Sequence, residues 1–227
     1  MHFLSSSTCF DDTQSSLESE YGTKFDGSVC LLGGWQLANK ISLDTLHKKY
    51  NKIIVFNQEQ IGNKTHNFVT REYYNLLKSA DEVWDYDEWN INALKTVRSD
   101  IKLQILKPSS KLNAGCADTK DIDVLFYGCM NNRRQQILNE LKTIGVKVAI
   151  PQMVFGDALN TYIARSRICL NIHYYADTAL QEQARMIRWV SSHSNIISEV
   201  SRCNYLNVPE VPYKYIVHAV LHQLGAF

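Results

Sequence analysis

The chain has 227 residues, enough for one large domain or two small ones, and its 45% hydrophobic and 21% charged content is that of an ordinary globular protein. A formal charge of +1 gives no reason to expect a nucleic-acid coat or a membrane-surface protein. No apolar stretch approaches the roughly 20 residues that span a bilayer.

The opening segment MHFLSSSTCFDD lacks a basic n-region and a long apolar core, so no signal peptide is expected and the setting reads as cytoplasmic. The cysteines Cys9, Cys30, Cys116, Cys129, Cys169 and Cys203 are scattered without a CxxC pair. Zinc needs close-spaced ligand pairs, so free thiols and no metal site are expected. Residues 1–107 carry 12 basic and 14 acidic side chains, and residues 108–227 carry 12 and 9. The basic excess falls in the second half.

The first 25 residues, rich in Ser, Thr and acids, read as a mobile arm or an extended loop. Strand-like runs then recur at Val29–Leu32, Lys52–Phe56, Glu82–Trp84 and Leu103–Leu106. Helical stripes lie between them: Leu43, Leu46 and Tyr50; then Tyr73, Leu76, Leu77 and Ala80; then Trp89, Ala93 and Val97. Such alternation predicts a parallel sheet covered by helices. Residues 108–121 are polar, hold Pro and Gly without a period, and read as a linker. Alternation then restarts, with strand Asp123–Tyr127, helix Asn131–Ile144, strand Lys147–Ile150, helix Asp157–Arg165 and strand Ile168–Ile172. Helix Thr178–Ser192 and strand Asn195–Ser198 follow. The tail from Pro212 to Leu224 has helical spacing. Two α/β units with a cleft between them are expected.

Ligands of open α/β sheets bind outside the carboxyl ends of strands. The turn Tyr127-Gly128-Cys129-Met130-Asn131-Asn132-Arg133-Arg134 follows a strand and opens a helix. Gly128 would permit close backbone approach, the helix N-terminus favours phosphate, and an arginine can grip phosphate bidentately. Otherwise it is a Gly-containing turn with two solvated arginines. His173 ends a strand, as a sugar-orienting or acid/base group or as a structural histidine. Tyr174 and Tyr175 follow as stacking platforms or plain loop aromatics. Glu182 and Arg185 share a helix face, either lining the ligand or forming only an ion pair. Glu199 lies just past a buried strand, where a carboxylate suits ribose or sugar hydroxyls. In the first half, Asn57-Gln58-Glu59-Gln60 ends a strand, with Glu59 a candidate general base or an anchor. Gly33-Gly34-Trp35 could shape an acceptor site. Asp87 is either a site residue or the N-cap of the next helix.

Three segments together, IVFNQEQI, ADEVWDYDEWNINAL, and FYGCMNNRRQQIL running into LNIHYY…EQARM…IISE, resemble bacterial and phage GT-B glycosyltransferases. The resemblance implies two Rossmann-like parallel-sheet domains facing a cleft. They would be an acceptor-side domain at 1–107, a linker at 108–121, a nucleotide-sugar domain at 122–207, and a helix at 208–227 packing back towards the first domain. It implies a nucleotide-diphosphate sugar donor and no obligate metal or other cofactor. Gly128, Asn132 and Arg133 or Arg134 would meet the diphosphate; His173 and Tyr174 would sit near the sugar; Glu182 and Arg185 would lie along the donor; Glu199 would close the site. The acceptor hydroxyl would belong to a glycan or to a hydroxymethylated base of phage DNA, in the host cytoplasm if the gene is a phage's. Retention of configuration is the expectation by resemblance. Two departures stand out. Arg188 replaces a common ribose-binding Glu, leaving ribose recognition open or moving it to Glu199, and His193 replaces a common Gly. A non-catalytic nucleotide-sugar-binding protein of the same fold and a fold-related sugar-nucleotide epimerase are the rival readings.

Overall fold

A computed structural model of the chain describes residues 1–22, 24–61 and 70–226. The chain divides into two compact units, Met1–Lys107 and Pro108–Phe227. In the first, β1 (His2–Ser5), α1 (Asp11–Tyr21), β2 (Ser28–Leu32), α2 (Gly34–Leu37) and α3 (Leu43–His47) come first. They are followed by β3 (Lys52–Asn57), α4 (Arg71–Ser79), β4 (Glu82–Asp85), α5 (Glu88–Leu94) and β5 (Lys102–Leu103). The second holds β6 (Ile122–Leu125), α6 (Asn132–Thr143), β7 (Val148–Ala149), α7 (Asn160–Arg165) and β8 (Ser166–Asn171). It ends with α8 (Gln183–Ser191), β9 (Ile196–Glu199), β10 (Glu210–Val211) and α9 (Ile216–Leu224). Among the described residues, each unit is an α/β layer structure on a five-stranded sheet whose paired strands all run parallel.

The first sheet runs in chain order from β1 to β5. Its central strands are covered on both faces, which is why β2 and most of β3 are continuous buried runs rather than alternating ones. On one face, Val29, Leu31, Ile53, Val55 and Val83 pack against Leu37 of α2, Tyr73, Leu76 and Leu77 of α4, and Leu94 of α5. On the other, Trp84 meets the Tyr21 ring of α1 at 5.1 Å and Phe25 at 5.7 Å between centroids.

In the second sheet the order is β10-β9-β8-β6-β7. Successive residues alternate between its faces with the two-residue period of a strand. Val124, Phe126, Ile168, Leu170 and Ile172 meet Ile137, Leu138 and Leu141 of α6 and Ile216 and Val220 of α9. Leu125, Tyr127, Cys169 and Ile196 meet Ile163 of α7 and Met186 and Trp189 of α8.

Several sequence expectations need correction. The first 25 residues are not an arm: among those described, His2–Ser5 pairs in parallel register with Val29–Leu32, and α1 follows. The helix expected from Thr178 begins only at Gln183, because Ala179 takes a left-handed φ of +45° and Leu180 and Gln181 are fully buried in the preceding loop. The strand expected at Leu103–Leu106 is only Lys102–Leu103, although Gln104 N–H still donates to the Asp85 carbonyl at 2.7 Å. Residues 108–121 belong to the second unit rather than hanging free. Ser109 N–H donates to Ser191 Oγ at 3.1 Å, Ala114 N–H to Ser192 Oγ at 2.9 Å, and Leu112 is fully buried. In the tail helix, Ile216 and Val220 are buried in the core of the second unit.

Candidate functional site

Because every described strand pair is parallel, each sheet gathers its strand ends at one edge. In the second sheet the chain passes from β6 to β7 on one side, then crosses back to β8 on the other. That reversal separates the loops leaving β6 and β8, and such a point is where open α/β sheets bind ligands. The first sheet runs in chain order and has no reversal among its described strands.

The loops leaving β6 and β8 carry a charged cluster. Asn131 caps α6 by accepting the Arg134 N–H at 2.9 Å, and its Nδ2 donates to the Tyr174 carbonyl at 2.7 Å, tying the two loops together. Arg134 is buried: Nε donates to the Ile172 carbonyl at 2.8 Å, Nη1 to the Cys129 carbonyl at 2.7 Å, and Nη2 to Glu182 Oε1 at 2.5 Å. Burial and the neighbouring Arg185 pull its pKa down to about 10, which leaves it cationic at neutral pH. Arg185 Nη1 donates to Asn171 Oδ1 at 2.9 Å and Glu182 Oε2 at 3.1 Å. Burial alone would raise the Glu182 carboxyl, but Arg185, Arg134 and His173 hold it far below the carboxylate range.

Arg133 makes a bidentate pair with Glu199, one arm at 2.6 Å, and stacks on the Tyr213 ring with Cζ 3.8 Å from its centroid. Glu199 Oε2 also accepts the His173 N–H at 3.0 Å. The His173 ring is fully buried; Nε2 lies 3.4 Å from Ser201 Oγ, and Nδ1 lies 3.5 Å from Glu182 Oε2 without hydrogen-bond alignment. Burial would lower the imidazole pKa, but Glu182 and Glu199 outweigh it and raise it. As placed, the ring meets protein groups rather than the open edge.

Gly128 has a φ of +134°, and a Cβ there would fall 2.7 Å from Arg185 Nη2. The bare backbone therefore lets the Arg185 guanidinium lie along the loop after β6. Gly128 and Asn132 are exposed, while Tyr174 is half-buried with its ring 5.2 Å from Arg134 Cζ. The structure thus brings Arg133, Arg134, His173, Tyr174, Glu182, Arg185 and Glu199 into one region. Sequence reasoning missed Asn131, Asn171, Ser201 and Tyr213, which hold these groups in place. Asn171 carried one signal, being the only polar residue in the run Ile168–Ile172.

The two departures have structural accounts. Arg188 is 2% exposed and donates to Asn160 Oδ1 at 2.6 Å and Asp157 Oδ1 at 3.2 Å, fastening the start of α7 to α8. His193, just past α8, holds a left-handed φ of +50°, the conformation for which glycine is favoured after a helix.

The ends of the first sheet carry a different set. Asp87 is the N-cap of α5, accepting from the Trp89 N–H at 2.8 Å. Half-buried Glu59 follows β3. Burial raises its carboxyl above its ordinary value, against a lowering bond from the Trp35 side chain.

No family model matches the chain. Three uncharacterized proteins of Acanthamoeba polyphaga mimivirus are similar to it. One is 29% identical over 201 residues, 82% of this chain and 63% of its own length. The others are 31% and 25% identical over 69% and 70% of this chain, which spans only 21% and 18% of their lengths. Among solved structures, sucrose-phosphate synthase from Thermosynechococcus elongatus superposes with a TM-score of 0.51 at 11% identity, over 92% of this chain and 67% of that one. TarM superposes with a TM-score of 0.52 at 9% identity, over 91% of this chain and 50% of that one. The chain has a GT-B-like fold. Among the described residues, no helix is long and apolar enough to cross a membrane.

Proposed function

We propose that this protein is a glycosyltransferase that moves a sugar from a nucleotide-diphosphate sugar to an acceptor hydroxyl, on a glycan or a hydroxymethylated DNA base, with retention of configuration. The observation that carries the reading is the arginine cluster at the reversal of the second sheet, with Arg185 laid along Gly128. Glycosyl transfer expels a diphosphate, and catalysis must stabilise the negative charge that grows on it. Guanidinium groups fixed in advance supply that stabilisation without reorganising, and no metal is required for it. In this reading Gly128, Asn132 and Arg185 meet the diphosphate. Arg134 orients Glu182 and adds positive potential from beneath. Tyr174 flanks the sugar, and Arg133 holds Glu199 for the ribose or sugar hydroxyls. His173 acts through Glu182 and Glu199 to set the shape of the loop after β8. Glu59, whose raised pKa suits a proton acceptor, orients or deprotonates the acceptor hydroxyl.

One observation favours a second reading, nucleotide-sugar binding without turnover. Arg133, Arg134 and Arg185 are each engaged by a protein carboxylate, so the three cations face Glu182 and Glu199 before any ligand arrives. Thermal shift against a panel of nucleotide sugars identifies the donor, since a ligand at about 100 times its Kd adds about 2.7 kcal/mol to the folded state. Release of nucleoside diphosphate from that donor, measured with and without candidate acceptors, separates the readings. Release supports transfer; a thermal shift with no release supports binding alone; release with conversion of the sugar and no acceptor points to an epimerase.

A further inference from the structure

We propose that Asp85 is a positioning residue for Glu59, acting through the side-chain amides of Asn57 and Asn90. The inference rests on the reading of Glu59 as the group that meets the acceptor hydroxyl, but its geometry is independent of that reading. Asn57 and Asp85 are the last residues of β3 and β4, lie opposite each other in register, and are fully buried. Asn90, also fully buried, projects from α5.

The Asp85 carboxyl accepts from three donors: Asn57 Nδ2 at 2.6 Å, Asn90 Nδ2 at 3.1 Å and the Asp87 N–H at 2.9 Å. The same two amides converge on one carbonyl. Asn57 Nδ2 donates to the Glu59 carbonyl at 2.9 Å and Asn90 Nδ2 donates to it at 2.8 Å. Asn57 Oδ1 accepts the Glu59 N–H at 3.2 Å and the Tyr73 hydroxyl at 2.7 Å, while Asn90 Oδ1 accepts the Ile61 N–H at 2.8 Å.

The pattern fixes the chemistry of each member. An amide NH2 has two protons, and here both amides spend one on Asp85 and one on Glu59. Reversing either amide would set its oxygen against a carboxylate and a carbonyl, so only one orientation satisfies all partners. Asp85 faces three donors, so its two oxygens serve as acceptors in the knot. Burial pushes its pKa up to about 8 against those bonds, so the group is largely protonated at neutral pH, and in either state its two oxygens accept from the amides. A buried carboxyl is costly unless hydrogen-bonded, and the amides that bond this one also grip the backbone of Glu59. Fixing the main chain of a reacting residue matters because a displacement of about 1 Å can cost about 10²-fold in rate.

The test is Asp85→Asn, which keeps the shape and replaces an accepting oxygen by a donor facing other donors. Carbon-13 NMR of the full-length protein follows the Glu59 carboxyl titration, assigned with Glu59→Gln. The proposal predicts that Glu59 titrates at lower pH in a folded Asp85→Asn protein and that kcat falls by about 10- to 100-fold with little change in donor KM. If Asp85→Asn does not fold, Asn90→Ala, which removes one of the two grips, is expected to move the Glu59 titration in the same direction. An unmoved Glu59 titration in the folded variant overturns the proposal. A moved titration together with wild-type transfer by Glu59→Gln upholds the positioning and refutes the role of Glu59 in the reaction.

Discussion

His193 occupies a backbone conformation that glycine adopts more readily. Its φ of +50° follows the end of α8, where its N–H donates to the Val190 carbonyl at 3.1 Å, and its side chain is exposed. A left-handed conformation costs a non-glycine residue about 1–2 kcal/mol. His193→Gly should therefore stabilise the protein, raising Tm by about 2–4 °C; calorimetry that shows a lowered Tm would assign the ring a contact of its own. Arg133 and Arg134 illustrate what sequence could and could not tell. A strand, a glycine and two arginines marked a charged turn, but not which arginine was free. The answer lies in partners distant in sequence: Glu199 and Tyr213 immobilise Arg133, and Ile172, Cys129 and Glu182 immobilise Arg134. Arg185, which the sequence left as either a ligand-lining group or one half of an i, i+3 pair, is the one lying along Gly128.

At the scale of elements, the legible parts were those with apolar periodicity. The strands β2, β3, β6 and β8 are apolar runs because both faces are covered, and such runs are visible in one dimension. The α1 helix was not, because its buried face includes Asp12, Thr13 and Ser16 beside Leu17. No apolar stripe marks such a helix, and the polar face is accounted for by tertiary bonds such as Ser16 Oγ to the Lys107 carbonyl at 2.8 Å. The false start of α8 has the opposite cause: residues 178–182 carry a helix-compatible pattern, and tertiary packing overrides it. One polar device ties three strands of the first sheet. Glu82 of β4 pairs with Lys52 of β3 and, at 2.5 Å, with Lys102 of β5. Burial would raise its carboxyl, but bonds from Lys102, Lys52 and Trp84 outweigh it and bring the pKa down from 4.5 to about 2. A depressed folded-state pKa stabilises above the unfolded value and loses that contribution as pH falls through the folded value. Melting curves of wild type and Glu82→Gln should therefore converge as the pH drops from about 4.5 towards about 2. Parallel curves across that window would mean that the bridge adds nothing.

At the scale of the molecule, the two sheets carry different chemistry at their strand ends. The second has an order reversal and a cluster of guanidiniums; the first has chain-order strands and a carboxylate, Glu59, held by a polar knot. The fold class was legible because alternation survives in the sequence. The knot was not, since Asn57, Asp85 and Asn90 are spread over 34 residues and meet only once β3, β4 and α5 are in place. The chain spans less than two thirds of the mimivirus relatives it matches, 18–63% of their lengths, so the longer proteins carry further segments beside a unit like this one. The central claim is that the edge of the second sheet holds a nucleoside diphosphate through Arg185. Titration calorimetry of a nucleoside diphosphate into wild type and Arg185→Ala tests it most directly. The account predicts binding to the wild type and a loss of about 1.5–3 kcal/mol, or roughly 10- to 150-fold, in the variant. Equal affinity in both proteins, or no binding by the wild type, would contradict it.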